Sequence, residues 1–371
     1  MTFVESAQLP PFQTAVVAQG PGKLSVQHNV PIPTLTSDMV LVKTAAVAIN
    51  PADAKMLDYS AAPGAIHGYD FSGTIVAVGD SSLSLAVGDR VAGFVHGMNI
   101  LQPGVGAFAE YVGASADILL KIPDSLSFEK AATLGVGVGT AALGLFHELR
   151  VPASLQQLKE ANADVDTLKG DSEFVLVAGG STATGTRAIQ LLKLAGLRPI
   201  ATCSPAHFDL AYKFGAEKVF DYHSADCGSD IRTYTRGNLA YALDCVSQAD
   251  TTELCYQAIG RAGGRYVSLE PFRTAITQTR PTVEPSWLMV LSLFGRQVAL
   301  DGDYGRPARP DHRKFGATAF SAVQALLDRN LIDPHPSKIM PGQWDGVIEG
   351  VSIIRSQAPS GVKLVYSVES A

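Results

Sequence analysis

EFVLVAGGSTATGTRAIQLLKLAGLRPIATCSP, residues 173–205, decides how the rest of the chain is read. Phe174 to Val177 is an apolar, β-branched run of strand length, and Gly179-Gly180-Ser181-Thr182 is a tight turn. Thr184 to Leu194 has helical spacing and stops at Gly196; Pro199 to Cys203 reads as the next buried strand. Strand, glycine turn, helix and strand in about 30 residues make a βαβ unit. A turn of this kind leaves backbone N–H groups free at a helix N-terminus, where the helix dipole favours an anion such as a dinucleotide pyrophosphate. A full fingerprint would read G-x-G-x-x-G. Here Gly179 and Gly185 bracket Ser181-Thr182-Ala183-Thr184, a pattern that an ordinary strand–turn–helix without ligand also fits. The hydroxyls of Ser181, Thr182 and Thr184 can donate to phosphate oxygens in place of lost backbone contacts.

A chain of 371 residues suits two domains of ordinary size. Its 35 glycines and 46% hydrophobic content suit a turn-rich α/β enzyme and not a disordered or fibrous chain. A net charge of −6 with scattered basic residues gives no electrostatic footprint for nucleic acid. No apolar run reaches membrane-spanning length, and MTFVESAQLPPFQ lacks the basic and apolar regions of a secretory signal. The cysteines, Cys203, Cys227, Cys245 and Cys255, form no C-x-x-C pair and have no histidine at ligand spacing. They read as free, buried or half-buried thiols of a reducing compartment.

The residues before the βαβ unit alternate in short strands broken by Pro and Gly, an antiparallel β start over 12–49. Asn50-Pro51 begins a turn, and Asp53 can cap a short helix that carries Lys55. Ser127 to Phe146 reads as a capped, apolar helix. The polar stretch 147–172 reads as a helix end followed by an exposed loop. Beyond Cys203 the alternation repeats: helices over Pro205–Phe214, Ile231–Arg236 and Thr251–Ile259, strands over Glu217–Tyr222, Tyr241–Val246 and Gly264–Leu269. That is a doubly wound parallel sheet. Residues 270–312 read as irregular; helices follow over Phe315–Leu327 and around Trp344–Ile354, and a last strand over Ser360–Tyr366.

Five motifs precede the βαβ unit in order: AVAINPADAKM (46–56), GYDFSGTIVAVG (68–79), VGDRVAGF (87–94), GAFAEYV (106–112) and IPDSLSFEKAATLGVGVGTAALGL (122–145). Together they resemble the medium-chain dehydrogenase/reductase superfamily, zinc-independent quinone-reductase-like branch, over nearly the whole chain. GGSTAT, PIATCSP, FDLA, FDY, IRTYT, YALDC, AIGRAGGRYVSL and YGRP are similar to the fungal trans-acting enoyl reductases of polyketide synthases, the lovastatin-pathway type. The resemblance implies an α/β fold of two parts. One is a GroES-like, mostly antiparallel β catalytic domain (1–136 and 315–371); the other is a Rossmann cofactor domain (137–314). It implies an NADPH-dependent enzyme that reduces the α,β-double bond of acyl thioesters held on the acyl carrier protein of a partner polyketide synthase, or of a synthase–peptide-synthetase hybrid. A free-standing quinone or enone reductase, and a partner-binding protein that kept the fold without turnover, are the alternatives.

Site residues follow from the same comparison. Zinc-dependent relatives use Cys after the first strands and His-Glu in the segment matching His67 to Gly73; here that segment reads Gly68-Tyr69-Asp70 and no cysteine precedes residue 203, so no zinc is expected. The second strand of the βαβ unit ends without Asp or Glu, which leaves room for a 2′-phosphate and points to NADPH. Ser204, Pro205, Ala206, His207 and Tyr222, with Lys218 as a further donor, would surround it. Ser181, Thr182, Ala183 and Thr184 would hold the pyrophosphate. Ala52, Asp53, Ala54 and Lys55, with Leu269, Glu270, Gly361 and Val362, would flank the nicotinamide side. Lys55 and Thr140 are the expected catalytic donors to an enolate oxygen; a solvated lysine and a helix N-cap are their plain alternatives. Two segments, Gly137-Val138-Gly139-Thr140-Ala141-Ala142-Leu143-Gly144 and Ser292-Leu293-Phe294-Gly295-Arg296, are the expected substrate wall. Prolines and the Asp301-Gly302-Asp303 turn argue against an open edge strand, so a cytoplasmic monomer is expected.

Overall fold

The computed structural model describes residues 9–79, 85–162 and 172–368. The chain opens with the hairpin β1 (Phe12–Gly20) and β2 (Lys23–Pro31), then β3 (Met39–Ala48), α1 (Pro51–Tyr59), β4 (Asp70–Val78), β5 (Arg90–Phe94), β6 (Tyr111–Ser115) and β7 (Leu119–Lys121). Short helices α2 (Phe128–Ala131), α3 (Gly135–Ala142) and α4 (Leu155–Glu160) lead to the βαβ unit: β8 (Phe174–Ala178), α5 (Ala183–Leu194) and β9 (Arg198–Cys203). There follow α6 (Phe208–Lys213), β10 (Lys218–Asp221), α7 (Cys227–Tyr234), β11 (Tyr241–Asp244), α8 (Ala249–Ala258), β12 (Gly264–Ser268), α9 (Thr274–Thr277) and β13 (Val283–Trp287). The chain returns through α10 (Pro310–Asp328), β14 (Ser337–Met340), α11 (Gln343–Gln357) and β15 (Lys363–Ser367).

Two large sheets result. One, largely antiparallel, has the order β14-β15-β3-β4-β5-β7, with β6 also on β3. The other is parallel, ordered β10-β9-β8-β11-β12-β13, the doubly wound arrangement whose ligand edge lies at the carboxyl ends of its strands. Helix α5 covers one face of it and α7 and α8 the other. A single apolar core runs from Phe94 and Leu120 through Val138 and Leu145 to Val177 and Leu243, so the sheets share packing across α3. The expected domain boundaries at 136/137 and 314/315 fall inside α3 and α10, each a continuous helix.

Several elements differ from the sequence reading. The segment 270–312 is not wholly irregular: Val283–Trp287 adds a sixth parallel strand on β12. Pro285 is tolerated because the strand lies at the sheet edge, where a missing N–H breaks no second ladder. Within 147–172, Ser154 caps α4, its hydroxyl accepting from Gln157 N, and Leu158 is buried; residues 163–171 of that stretch lie outside the described residues, as do 1–8 at the N-terminus. Helix α7 begins at Cys227, before the expected Ile231, and stops at Tyr234 because Arg236 and Gly237 turn to positive φ (52° and 74°). The expected Pro205–Phe214 helix opens as a 3-10 turn, Pro205–His207. The terminal strand starts only at Lys363, since Gly361 sits at φ 71°.

One buried network joins these parts. Lys363 of β15 donates to the Asp70 carboxylate of β4, and both side chains are almost fully enclosed. Asn50, just before α1, donates to Asp70 Oδ2 (3.0 Å) and accepts from Lys363 Nζ (2.7 Å). Asp70 Oδ1 accepts from Val136 N (2.7 Å) in the first turn of α3. A buried pair costs desolvation when formed, and more when one partner is removed. Lys363→Met is therefore expected to destabilise the fold by about 3–5 kcal/mol in denaturant unfolding. The double replacement of Lys363 and Asp70 by apolar residues is expected to lose less than Lys363→Met alone.

Candidate active site

The carboxyl edge of the parallel sheet is built by hydrogen bonds that end at Lys55. Asp244 closes β11, and its buried carboxylate accepts from Val246 N (3.0 Å), Ser247 N (2.8 Å), Thr251 Oγ1 (2.9 Å) and Tyr266 Oη (2.8 Å). This holds Ser247 at φ 62°, and Ser247 Oγ accepts from Leu269 N at 2.8 Å, just past the end of β12. Glu270 comes next, and its Oε2 lies 2.5 Å from Lys55 Nζ. Tyr304 Oη donates to the same oxygen at 2.6 Å, and Lys55 Nζ stands 5.3 Å from the Tyr304 ring centre. Tyr304 is set by edge contacts with Tyr59 (5.2 Å) and Trp287 (5.7 Å), and Arg306 lies over Trp287 at 4.0 Å. The Asp301-Gly302-Asp303 turn folds back on α1, where Asp301 N donates to Ser60 Oγ (3.0 Å).

Lys55 is 44% exposed. Partial burial disfavours its charge, but the Glu270 carboxylate and Tyr304 outweigh that and hold the ammonium above the ordinary lysine range. The tyrosine hydroxyl is held protonated by burial and by its bond to Glu270. The neighbours of Lys55 divide by helical phase. Ala52 is half-buried, but Asp53 and Ala54 face the core and not the cleft. Asp53 caps α1 as expected, from the third helical position: its Oδ2 accepts from the N–H of the N-cap residue Asn50 at 2.6 Å. Burial pushes its carboxyl up to about 8. Tyr304 was not among the residues expected at this site, although it opens the YGRP motif.

The glycine turn meets the chain's C-terminal part. One groove is lined by Pro51, Ser181, Thr182, Ala183, Gly361 and Val362. Gly185 packs so closely under the turn that a Cβ would stand 2.2 Å from Gly179 O. The Thr182 hydroxyl is already engaged, accepting from Gly185 N (2.9 Å) and donating to Gly179 O (2.8 Å), so it caps α5 and has no proton to give a phosphate. The amides of Ala183 and Thr184 and the hydroxyls of Ser181 and Thr184 remain as donors. These residues fit a dinucleotide pyrophosphate. His207 packs on Gly361, where a Cβ would meet its ring at 2.7 Å. Tyr222 is exposed and stacks on His223 (4.0 Å), whose Nδ1 is paired with Asp221 (2.8 Å). Lys218 opens β10, at the opposite end of that strand from Tyr222.

The expected substrate segments lie deeper than their sequence suggested. Gly137 to Gly144 is buried throughout, and Val138, Ala141 and Leu143 belong to the shared core. The glycines are the close points: an added Cβ would stand 3.2 Å from Arg187 at Gly137, 3.1 Å from Phe94 at Gly139 and 2.9 Å from Leu243 at Gly144. Thr140 does not begin a helix: it is the sixth residue of α3, which rules out the N-cap role, and its hydroxyl has no hydrogen-bond partner among the described residues. Ser292 and Leu293 are buried, and the Ser292 hydroxyl is used internally by Met289 O (2.6 Å). Phe294 packs on Phe94 at 4.9 Å; Gly295 turns the chain at φ 71°, and Arg296 reaches the surface. A crevice of only about 30 Å³, shared with His96 and Asn99, separates Phe294 and Arg296 from Met39 and Val95. His96, which sequence reasoning missed, is neutral there because burial pushes its imidazole down to about 4.

The residues at the position of the superfamily's zinc do not fit a metal. Asp70 is taken by the Lys363 ammonium, and His67 Nε2 donates to Asp53 O at 2.9 Å inside the core. Burial pushes His67 down to about 4 and keeps it neutral. All four cysteines are free thiols of the Rossmann part, three of them buried.

Residues 36–124 match the alcohol dehydrogenase GroES-like domain, and residues 183–281 match the domain described as zinc-binding dehydrogenase. The chain is 64% identical to the trans-enoyl reductase caaB of Aspergillus niger over 362 residues, 97% of this chain and 98% of that protein. It is 62% identical to the trans-enoyl reductase traG of Penicillium crustosum over the same shares. Among solved structures, the CurK enoyl reductase superposes with a TM-score of 0.74 at 18% identity, covering 96% of this chain and 99% of that one. A quinone oxidoreductase of Pseudomonas syringae gives 0.69 at 19% identity, covering 96% and 100%. These two likenesses establish the fold. The chain belongs to the trans-enoyl reductases, a branch of the GroES–Rossmann dehydrogenase/reductase fold.

Two replacements test the cluster. Tyr304→Phe removes one donor to Glu270 and is expected to lower kcat/KM about ten-fold, or about 1.4 kcal/mol, with nucleotide affinity unchanged. Glu270→Gln removes the carboxylate that keeps Lys55 charged. If Lys55 acts as the charged donor, the alkaline limb of the pH–rate profile is expected to move to lower pH.

Proposed function

We propose that this chain is an NADPH-dependent enoyl reductase acting in trans. Its substrate would be an α,β-unsaturated polyketide thioester on the acyl carrier protein of a partner polyketide synthase, or of a synthase–peptide-synthetase hybrid. The observation that carries the reading is the Lys55 ammonium, held charged and half-exposed by Glu270 at the ligand edge of the parallel sheet. NADPH, held by the Ser181–Thr184 turn, would supply the hydride for the β carbon. The π electrons of the double bond then move toward the thioester oxygen, and Lys55, with the Thr140 hydroxyl as second donor, offers hydrogen bonds to that developing charge. Water provides the proton for the α carbon. Asp53 and Ala54 keep α1 seated in the core so that Lys55 does not drift from the cleft.

The preference for NADPH is supported by the strand end at Cys203, which carries no acid, and by the Ser204–His207 turn beside it. The nearby Asp221 is occupied by His223, which reduces its repulsion of a 2′-phosphate. No helix among the described residues is long and apolar enough to cross a membrane, and the reading places the enzyme in the cytoplasm. The short, proline-bearing edge strand β13 supports a monomer that docks on its synthase.

The test is a comparison of rates with NADPH and NADH on three acceptors: an enoyl chain on the carrier protein, the same chain on a small thiol, and a simple quinone. The expected result is turnover of the carrier-bound chain, with NADPH favoured at least about ten-fold, and little reduction of the quinone. Faster reduction of the quinone than of either thioester would assign the chain to free-standing quinone reduction. Tight NADPH binding with no turnover, even beside the synthase, would assign it a non-catalytic role.

A further inference from the structure

Outside the cleft, His147, Asp311 and His312 each bring one ligating atom to within 4.8 Å of the others. His147 lies on the π-helical turn Leu143–Glu148 that continues α3, and Asp311 and His312 lie in the first turn of α10. The two imidazole rings stand edge to face, 4.5 Å apart. Single-turn π segments of this kind recur at functional sites.

Hydrogen bonding fixes the tautomer of each ring. The Ser292 hydroxyl gives its proton to Met289 O (2.6 Å), so toward His312 Nδ1, at 2.7 Å, it must accept. His312 therefore carries its hydrogen on Nδ1 and a lone pair on Nε2. That Nε2 is buried without a hydrogen-bond partner in a side chain only 7% exposed, and it lies 4.0 Å from Asp311 Oδ2. His147 follows the same rule. Its Nδ1 lies 3.1 Å from Glu148 Oε1, an acceptor, so its lone pair is also on Nε2; Glu148 is itself held by Ser286 Oγ (3.1 Å). Histidines whose Nδ1–H is held by an oxygen and whose Nε2 is free have the arrangement of metal ligands with their outer shell in place. A buried lone pair facing a carboxylate, with no hydrogen between them, is a cost that a bound cation removes.

We propose that His147, Asp311 and His312 bind a divalent first-row transition-metal ion of the zinc class, with solvent completing its coordination. Two imidazoles and a carboxylate suit such an ion. The site uses no cysteine and none of the residues near Asp70, which is why the search for a dehydrogenase-type zinc does not find it. Arg309, which grips Asp311 at 2.6 Å, shares the carboxylate and moderates the affinity. A bound ion would tie the π turn to α10 and, through Ser292, brace the turn Val290–Phe294, which carries part of the expected substrate wall.

The experiment is a zinc chloride titration of the full chain, without a histidine tag and stripped with chelator, in competition with a chromophoric chelator. One ion per chain is expected, with affinity falling at least about ten-fold in His147→Gln and in His312→Gln. His147 is partly exposed, so its replacement spares the core and decides the question if the His312 variant does not fold. Unchanged zinc affinity in His147→Gln, or a parent chain that takes up no more zinc than the variant with both histidines replaced, overturns the proposal.

Discussion

The buried contact between Lys363 and Asp70 is the constraint on which the geometry of this molecule depends. The two residues are 293 positions apart, yet their charges meet where four elements converge: β15, β4, the start of α1 and the first turn of α3. An ion pair with no solvent depends on the protein for its remaining hydrogen bonds, and here Asn50 and the Val136 amide supply three of them. Its value is positional. It fixes the C-terminal strand against the N-terminal sheet and aims α3 toward the Rossmann part, so both halves of the cleft are registered to one buried carboxylate. A lysine ammonium sits on the Asp70 carboxylate, in the segment that matches the metal-ligand segment of zinc-dependent relatives, and in this chain that carboxylate serves as a structural tie.

A second chain of bonds carries that order to Lys55. Asp244, Ser247, Leu269, Glu270 and Lys55 follow one another across three elements. Each link places the next by a backbone or carboxylate contact. Lys55 is half-exposed, so its ion pair is worth little as stability. What the pair does is keep an ammonium charged and oriented at the carboxyl edge of a parallel sheet, where this fold presents ligands. Tyr304 completes the cluster from the opposite side.

Most of the fold was legible in the sequence because period and punctuation are local. The βαβ unit, the alternation after Cys203 and the order of the motifs from residue 46 to 145 all predicted the sheets correctly. What failed had non-local causes. The strand at Val283–Trp287 carries a proline and forms only because β12 offers it an edge. Thr140 was read at the start of a helix, but that helix opens at Gly135, and the glycines around Thr140 mark close packing against Phe94 and Arg187. Asp53 and Ala54 share a motif with Lys55, yet helical phase turns them inward. Thr182 was read as a phosphate donor, but its proton is spent on Gly179. Tyr304 and His312 act through partners distant in sequence, and spacing carries no trace of that.

The most direct measurement of the central claim follows the hydride itself. NADPH deuterated at the nicotinamide carbon is mixed with the enzyme and an enoyl chain loaded on the carrier protein, and the released acyl group is analysed for the position of the label. The account predicts one deuterium at the β carbon, a solvent hydrogen at the α carbon, and loss of the label in Lys55→Met faster than loss of NADPH binding. Recovery of unreduced, unlabelled enoyl chain while the same enzyme passes deuterium to a quinone would contradict it.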